Sequence, residues 1–335
     1  MKYKLSNFFN ILSILSIAKI INFKKIHLSY LISRIFKKSF HWGMPVSASI
    51  EITTNCNLRC PECPSGLKIL SRNTGSVEIT DFQKYLDQLE KHLIYLILYF
   101  QGEPYLNKHF FEIIKYAKSK KIFTATSTNG HFLDYKTAHQ TVASGLDRLI
   151  ISLDGTDQET YSSYRVNGDF NKVISGIKNM VLWKEKMKSK TPFIILQFLV
   201  LKTNEHQIES IEQLSKQLGV DELQLKSAQV YDYENDNSLI PDNIIYSRYV
   251  KDDAGKYHIK NKLSNHCFRM WQSLVITWDG NIVPCCFDKD AQHILGNLKT
   301  TSLKEILKSK KYNSFRKNIL KNRGGIEICR NCSEG

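Results

Sequence analysis

From residue 46 onward, short β-branched or aromatic runs alternate with stretches whose apolar residues recur at helical spacing. The strand candidates are Val46–Thr54, Tyr95–Phe100, Phe123–Ser127, Leu149–Leu153, Phe193–Val200 and Leu223–Lys226. Between them Thr80–Lys91, Phe110–Ser119, Tyr135–Ser144, Val173–Lys188 and Glu205–Leu218 read as helices. Thr80 and Asn204 are the expected N-caps, and Gly219 the stop of the last helix. Strands alternating with helices predict an α/β fold, with parallel strands joined by right-handed crossovers. Six such units fall short of an eight-fold barrel, which leaves a partial (β/α)6 TIM-like barrel or a flat doubly wound sheet. In either, ligands gather at the C-terminal ends of the strands. Polar signatures do follow those ends: Thr54-Asn55-Cys56, Gln101-Gly102-Glu103-Pro104, Ser127-Thr128-Asn129-Gly130 and Asp154-Gly155. One site at one face is the expectation.

Upstream of the repeat the pattern changes. Phe8–Ile21 is apolar but interrupted by Asn10, Ser13, Ser16 and Lys19, and it is shorter than the ~20 apolar residues that a membrane crossing needs. A signal peptide would end at a small-residue cleavage site, whereas Lys19, Lys24 and Lys25 stand there instead. Next, Leu28, Leu31, Ile32, Ile35 and Phe36 follow the spacing of one helix face, with Arg34, Lys37 and Lys38 off it. A basic amphipathic helix suits an anionic membrane surface, and it equally suits packing on the protein body over the open end of a barrel. The sequence leaves both open.

Composition sets limits. A chain of 335 residues with 42% hydrophobic content has ample material for a core. Its net charge of +15 points to an anionic partner. The lysines are scattered, however, with no aromatic-interleaved basic patch, so nucleic acid is not expected. One stretch departs from this. Residues 1–50 hold no Asp or Glu, yet carry Lys2, Lys4, Lys19, Lys24, Lys25, Arg34, Lys37 and Lys38. The cysteines are equally uneven: Cys56, Cys60 and Cys63 sit together, and Cys267, Cys285, Cys286, Cys329 and Cys332 lie in the last quarter. Such clusters in a long chain favour metal ligation over a disulfide scaffold.

The first group is C-x3-C-x2-C, in a loop directly after the first strand. Three thiolates can hold three irons of a [4Fe–4S] cube and leave the fourth iron open to a non-protein ligand. A structural zinc site would want a fourth Cys or His close by, and none is obvious. With this loop the chain resembles the radical S-adenosylmethionine (SAM) superfamily, over about residues 46–227. The resemblance implies that SAM chelates the open iron and is cleaved reductively to a 5′-deoxyadenosyl radical that takes a hydrogen atom from substrate. Gln101-Gly102-Glu103-Pro104 is similar to the family's G-G-E-P stretch, with Gln in place of the first Gly, so Gly102 and Glu103 would meet the SAM ammonium. Ser127 and Asn129 match the positions that hold the ribose, and Ser152 and Asp154 the polar pair on the next strand. Arg165 resembles an Arg that members with C-terminal auxiliary clusters aim at the SAM carboxylate. Glu62 departs from the pattern, since many relatives place an aromatic residue there against the adenine.

In the second group, Cys267 precedes a β-rich run that turns at Asp279-Gly280, a hairpin signal, and returns through Cys285 and Cys286. Cys329-Arg330-Asn331-Cys332 adds C-x2-C. Four thiolates from these segments would close a site for a [4Fe–4S] cluster or zinc. Neighbouring strand residues point to opposite faces, so one cluster takes only one of Cys285 and Cys286. The pattern Cys267…Gly280-x4-Cys285…Cys329-x2-Cys332 resembles the SPASM/twitch extension of radical SAM enzymes in its single-cluster form. That resemblance implies Cys267, Cys285, Cys329 and Cys332 as ligands. It leaves Cys286 spare, either packed or facing the substrate.

The chain then divides into a basic helical extension (1–43), a radical SAM core (44–228), a linker or substrate segment (229–265) and an auxiliary-cluster domain with a hairpin (266–335). A four-thiolate cluster has no iron free for substrate, so its implied use is electron acceptance. The reaction expected is oxidation of an H–C–OH or H–C–SH carbon. Asp288 and His293 are candidate bases by position alone, and Cys286 is a candidate catalytic residue. The expected partners are a reducing donor such as flavodoxin or ferredoxin and a substrate that is a sugar, a lipid-linked molecule or a peptide. The expected place is the cytoplasm, at the inner membrane surface should the N-terminal helix bind it. Tyr231–Asn265 would line or cover the pocket. A peptide- or protein-modifying maturase is the alternative, and a non-catalytic zinc-binding membrane-associated protein a remote one.

Overall fold

All six expected strands form in the computed structural model, which describes residues 10, 12–235 and 237–333. They are β1 (Ser47–Ile50), β2 (Tyr95–Ile97), β3 (Phe123–Thr128), β4 (Arg148–Ser152), β5 (Phe193–Val200) and β6 (Glu222–Ser227). Each pairs parallel with the next in chain order. A doubly wound sheet reverses its order at a switch point; this one does not. With right-handed crossovers its helices all lie on one side, and the result is a partial barrel.

The helix ends show where sequence cues mislead. The first crossover helix, Ile79–Asp87, begins after Glu78 and not at Thr80. Val77 is still extended, its N–H bonded to Ile52 O, and the chain turns into the helix directly after that contact. Asn204 precedes a short 3-10 turn, Glu205–Gln207, and Gln207 precedes the α-helix Ile208–Leu218. The Asn204 side-chain amide instead donates to Asp154 O and Leu199 O. Gly219 ends that helix at φ 72°, as expected. A helix at Gln158–Tyr164, capped by Asp157, was not foreseen.

Beyond β6, residues 229–265 form a two-stranded hairpin, β7 (Tyr249–Lys251) and β8 (Tyr257–Ile259). Its Tyr249 packs with Val230, Ile240, Leu58 and Cys60, so the segment lies on the cysteine loop. The Asp279-Gly280 turn joins β9 (Ser273–Ile276) to β10 (Asn281–Val283), and β11 (Gly296–Asn297) follows. Gly280 sits at φ 88°, where a Cβ would meet the Tyr85 hydroxyl at 2.7 Å. The hairpin is no satellite. β9 runs parallel to β1, Ser47–Ile50 against Ser273–Ile276, making one nine-stranded sheet in the order β11-β10-β9-β1-β2-β3-β4-β5-β6. Glu51, fully buried just past β1, accepts a forked pair from Arg72 at 2.6 and 2.8 Å and a backbone bond from Trp278 at 3.3 Å. Arg72 also donates to Lys289 O. One ion pair thereby staples barrel, cysteine loop and hairpin.

The N-terminal segment forms a helix, α1 (Ile17–Phe36). Its orientation reverses the simple reading. Lys19, Asn22, Ile26, Ser29, Tyr30 and Ser33 face the body, whereas Leu28, Leu31, Ile35 and Phe36 are exposed. Specific partners decide this: Lys19 Nζ donates to Lys121 O at 3.0 Å, and Asn22 bonds both N–H and C=O of Met44 at 2.8 Å. Ser33 Oγ accepts from Phe40 N, and the Tyr30 ring meets Phe268 and Trp271. Met44 and Lys121 directly precede β1 and β3, so α1 lies across the N-terminal ends of the strands, opposite the cysteine loop. Among the described residues no helix is long and apolar enough to cross a membrane. The start of the apolar run at Phe8, with Lys2 and Lys4, lies outside the described residues.

Candidate functional site

The cysteine loop is held by the ends of its neighbouring strands. Gly102, after β2, adopts φ +73° and packs so close that a Cβ would meet Thr53 O at 2.3 Å and Asn55 O at 2.8 Å. Only glycine fits there. The next N–H, of Glu103, donates to Asn55 O at 2.7 Å. From the end of β3 the Asn129 amide donates to Asn57 Oδ1 at 2.7 Å and stands 3.9 Å from Cys56 Sγ. Arg59 N donates to Val166 O, and Arg165 Nη1 lies 3.7 Å from Cys60 Sγ. Gly102, Glu103, Asn129 and Arg165 are thus gathered around the cysteine loop. Ser127 and Ser152 sit at the same ends of β3 and β4.

Charge in this site is unbalanced in an informative way. Glu103 is buried, with its carboxylate accepting from Asn129 N at 2.7 Å, Thr128 Oγ1 at 2.8 Å and Tyr105 N at 3.3 Å. Burial outweighs these donors and pushes its pKa up to about 7. Among the described residues no cation is ion-paired with it, and Arg165 acts on it only through its field. Burial also pushes the Cys56 thiol up to about 11 and raises Cys60, against the pull of Arg165. At neutral pH both groups rest as thiols in the metal-free protein, and binding a metal would release their protons. Asp154, fully buried just past the end of β4, is tied to two protein partners. One oxygen accepts from Arg165 Nε at 2.5 Å and the other from Leu199 N at 2.7 Å. It holds Arg165 in place.

The second group converges as well. Cys267, Cys285, Cys329 and Cys332 line one small cavity with Met270, Phe315 and Arg323, and Cys286 is outside it. Arg323 Nη2 lies 3.2 Å from Cys332 Sγ. Cys286 is exposed, 3.9 Å from Arg269 Nη1. Among the described residues no three His, Cys, Asp or Glu close around one point tightly enough for a single metal ion. Asp288 is buried and both its oxygens accept backbone N–H groups, of Gln292 at 2.8 Å and His293 at 2.9 Å, which makes it the brace of a turn. His293 pairs with Glu327 and stacks edge-on against Phe315.

One residue that sequence reasoning missed, Lys289, lies near Cys63 and Cys286. Lys289 has its pKa lowered by burial, and the fields of Cys63, Cys286 and Glu62 act against that shift. Its ammonium lies 4.7 Å from the centre of the Tyr231 ring. Tyr231 N in turn donates to Glu62 Oε2 at 2.9 Å, so Glu62 tethers the linker segment where relatives carry an aromatic residue. Nothing local in sequence marks Lys289; the hairpin's return brings it there.

Comparison with known proteins agrees with this geometry. The family model of the radical SAM superfamily matches residues 50–214, and that of the SPASM iron–sulfur cluster-binding domain residues 267–333. The chain is 27% identical over 315 residues to the tungsten-containing aldehyde ferredoxin oxidoreductase cofactor-modifying protein of Pyrococcus furiosus, spanning 85% of this chain and 86% of that protein. Its fold is similar to BtrN in complex with AdoMet and 2-DOIA, with a TM-score of 0.52, 17% identity and coverage of 88% of this chain and 95% of that one. It is also similar to Streptococcus suis SuiB bound to precursor peptide SuiA, with a TM-score of 0.60, 14% identity and coverage of 82% and 67%. At such identities the two structures speak for the fold alone.

Proposed function

The chain belongs to the radical SAM superfamily and carries a SPASM domain, and from that premise we propose that it oxidises an alcohol- or thiol-bearing carbon by two electrons in the cytoplasm. When bound, SAM and its cluster supply a 5′-deoxyadenosyl radical, and the second cluster an electron sink. Cys56, Cys60 and Cys63 would hold the first cluster. Glu103 and the Gly102 backbone would take the SAM ammonium, Arg165 its carboxylate, and Ser127, Asn129 and Ser152 the ribose. Substrate would lie between the two cysteine groups. Its carbon gives up a hydrogen atom, making 5′-deoxyadenosine. Its hydroxyl or thiol gives up a proton, and the remaining electron leaves towards Cys267, Cys285, Cys329 and Cys332. We assign the proton to Lys289, whose lowered pKa suits the task, and not to Asp288, which braces a turn.

The observation that carries this reading is the closed cavity shared by four cysteines with Cys286 outside. A site with four thiolates keeps no iron free for substrate, so it serves to receive electrons. A reducing donor such as flavodoxin or ferredoxin is the partner this requires. A second reading, radical modification of a cofactor or peptide, follows the Pyrococcus furiosus relative, which is a cofactor-modifying protein. Anaerobic reconstitution tests the first. Two cubes predict about eight irons per chain. Cys60→Ala should abolish 5′-deoxyadenosine formation. Cys329→Ala should leave SAM cleavage but stop substrate oxidation, and Lys289→Met should do the same without loss of iron. Normal product formation by the Cys329 variant would refute electron acceptance and favour the second reading.

A further inference from the structure

The outward face of α1 is the most unusual surface of the molecule. Ile17, Ile20, Ile21, Leu28, Leu31 and Ile35 recur at helical spacing on one side, each between 39% and 78% exposed. A soluble surface normally puts such a stripe inward; here it is turned out because hydrogen-bonding residues occupy the inner face. Lys24 sits within the stripe, and Lys25, Arg34, Lys37 and Lys38, all exposed, flank or follow it. Phe36 at 63% and Trp42 at 49% exposure stand at the same end as the last two lysines.

A cavity of about 630 Å³ adjoins this face, where Ile21 and Lys25 meet His41, Trp42, Lys304 and Lys308. His41 is held neutral, its pKa lowered to about 3 by burial and Arg316, so the lysines carry the cavity's positive charge. Residues 1–50 offer no Asp or Glu to offset any of it.

We propose that α1 and its neighbouring lysine-lined cavity dock this protein on an anionic phospholipid surface. The apolar stripe enters the boundary between headgroups and acyl chains, and the lysines meet lipid phosphates. A second copy of the chain fits poorly as occupant, because a self-complementary contact would press Lys24 and Lys25 against their own kind. The helix is about 30 Å long, enough to lie in the interface along its whole length. Because α1 crosses the N-terminal ends of the strands, docking leaves the cysteine loop and its mouth facing away from the lipid.

Flotation of the full-length protein with vesicles decides the matter. It should float with phosphatidylglycerol–phosphatidylcholine vesicles and stay behind with phosphatidylcholine alone. Leu28→Asp with Leu31→Asp should cut partition by about tenfold or more, with circular dichroism and melting unchanged because both side chains are exposed. Lys24→Glu with Lys25→Glu, or added salt, should also lower it on the anionic vesicles. The proposal is overturned if the protein floats with neither vesicle, or equally with both. It is also overturned if the Leu28/Leu31 variant floats like the unmodified protein. A dimer in light scattering that this variant splits, without vesicle binding, would assign the face to a second copy instead.

Discussion

On the proposed function, Glu103 is the side chain that would meet the SAM ammonium. Its three hydrogen-bond donors are all neutral, and burial holds its pKa near 7, above the usual carboxylate range. For an acid the sign is clear: a raised pKa means that the proton is held in the folded, cofactor-free protein up to about pH 7. An arriving ammonium needs the carboxylate, so it must expel that proton. SAM affinity should therefore climb as pH rises towards 7 and level off above. Calorimetry at pH 6 in buffers of different ionisation enthalpy should find about one proton released per SAM bound, and Glu103→Gln should remove the release. Binding without proton release in the unmodified protein would contradict this account. Glu103 could be read from its tetrapeptide. The pairing of Asp154 with Arg165 could not, because it depends on Arg165 folding back across a helix that no periodicity announced. Lys289 was hidden for a similar reason: its neighbours belong to three distant segments.

At the scale of elements, the Arg72 fork on Glu51 joins β1, the loop after the cysteines and the turn of the hairpin. Arg72→Met would leave a buried carboxylate without its partner. The expected loss is about 3–5 kcal/mol in urea unfolding. Glu51→Gln with Arg72→Met should recover most of it, since the stranded charge is then gone. Equal losses in the single and double variants would show that packing, not charge, is what Arg72 supplies. Helix α1 teaches a related lesson about reading elements. Its apolar spacing correctly announces a helix, yet the face that packs is the one carrying Lys19, Asn22 and Ser33. Periodicity reports that two faces differ. Which one is buried depends on partners such as Met44 O and Lys121 O, which only the fold supplies.

Across the whole molecule, the order of β1 to β6 was legible because each strand pairs with its successor in the chain. The docking of β9 on β1 was not, because it joins segments at opposite ends of the sequence. That pairing makes the second cysteine group part of the same sheet as the first. Hydrogen exchange should place the amides of β1 and β9 together in the slow class, with Tyr231–Asn265 exchanging earlier. Were β9 to open along with the linker, the auxiliary region would instead be an independent unit. Neither outcome needs the clusters to be identified first.

The parallel ladder from Ser47–Ile50 to Ser273–Ile276 also constrains traffic. Cys56 hangs beyond one rail of that ladder, and Cys285 lies in the bend just after β10, the strand paired to the other. Any motion that swung the C-terminal unit wide to admit a bulky guest would have to unzip the rails. The spacing of the two cysteine groups along the sheet is therefore set by backbone pairing, while Glu62 ties the linker down at the Tyr231 amide.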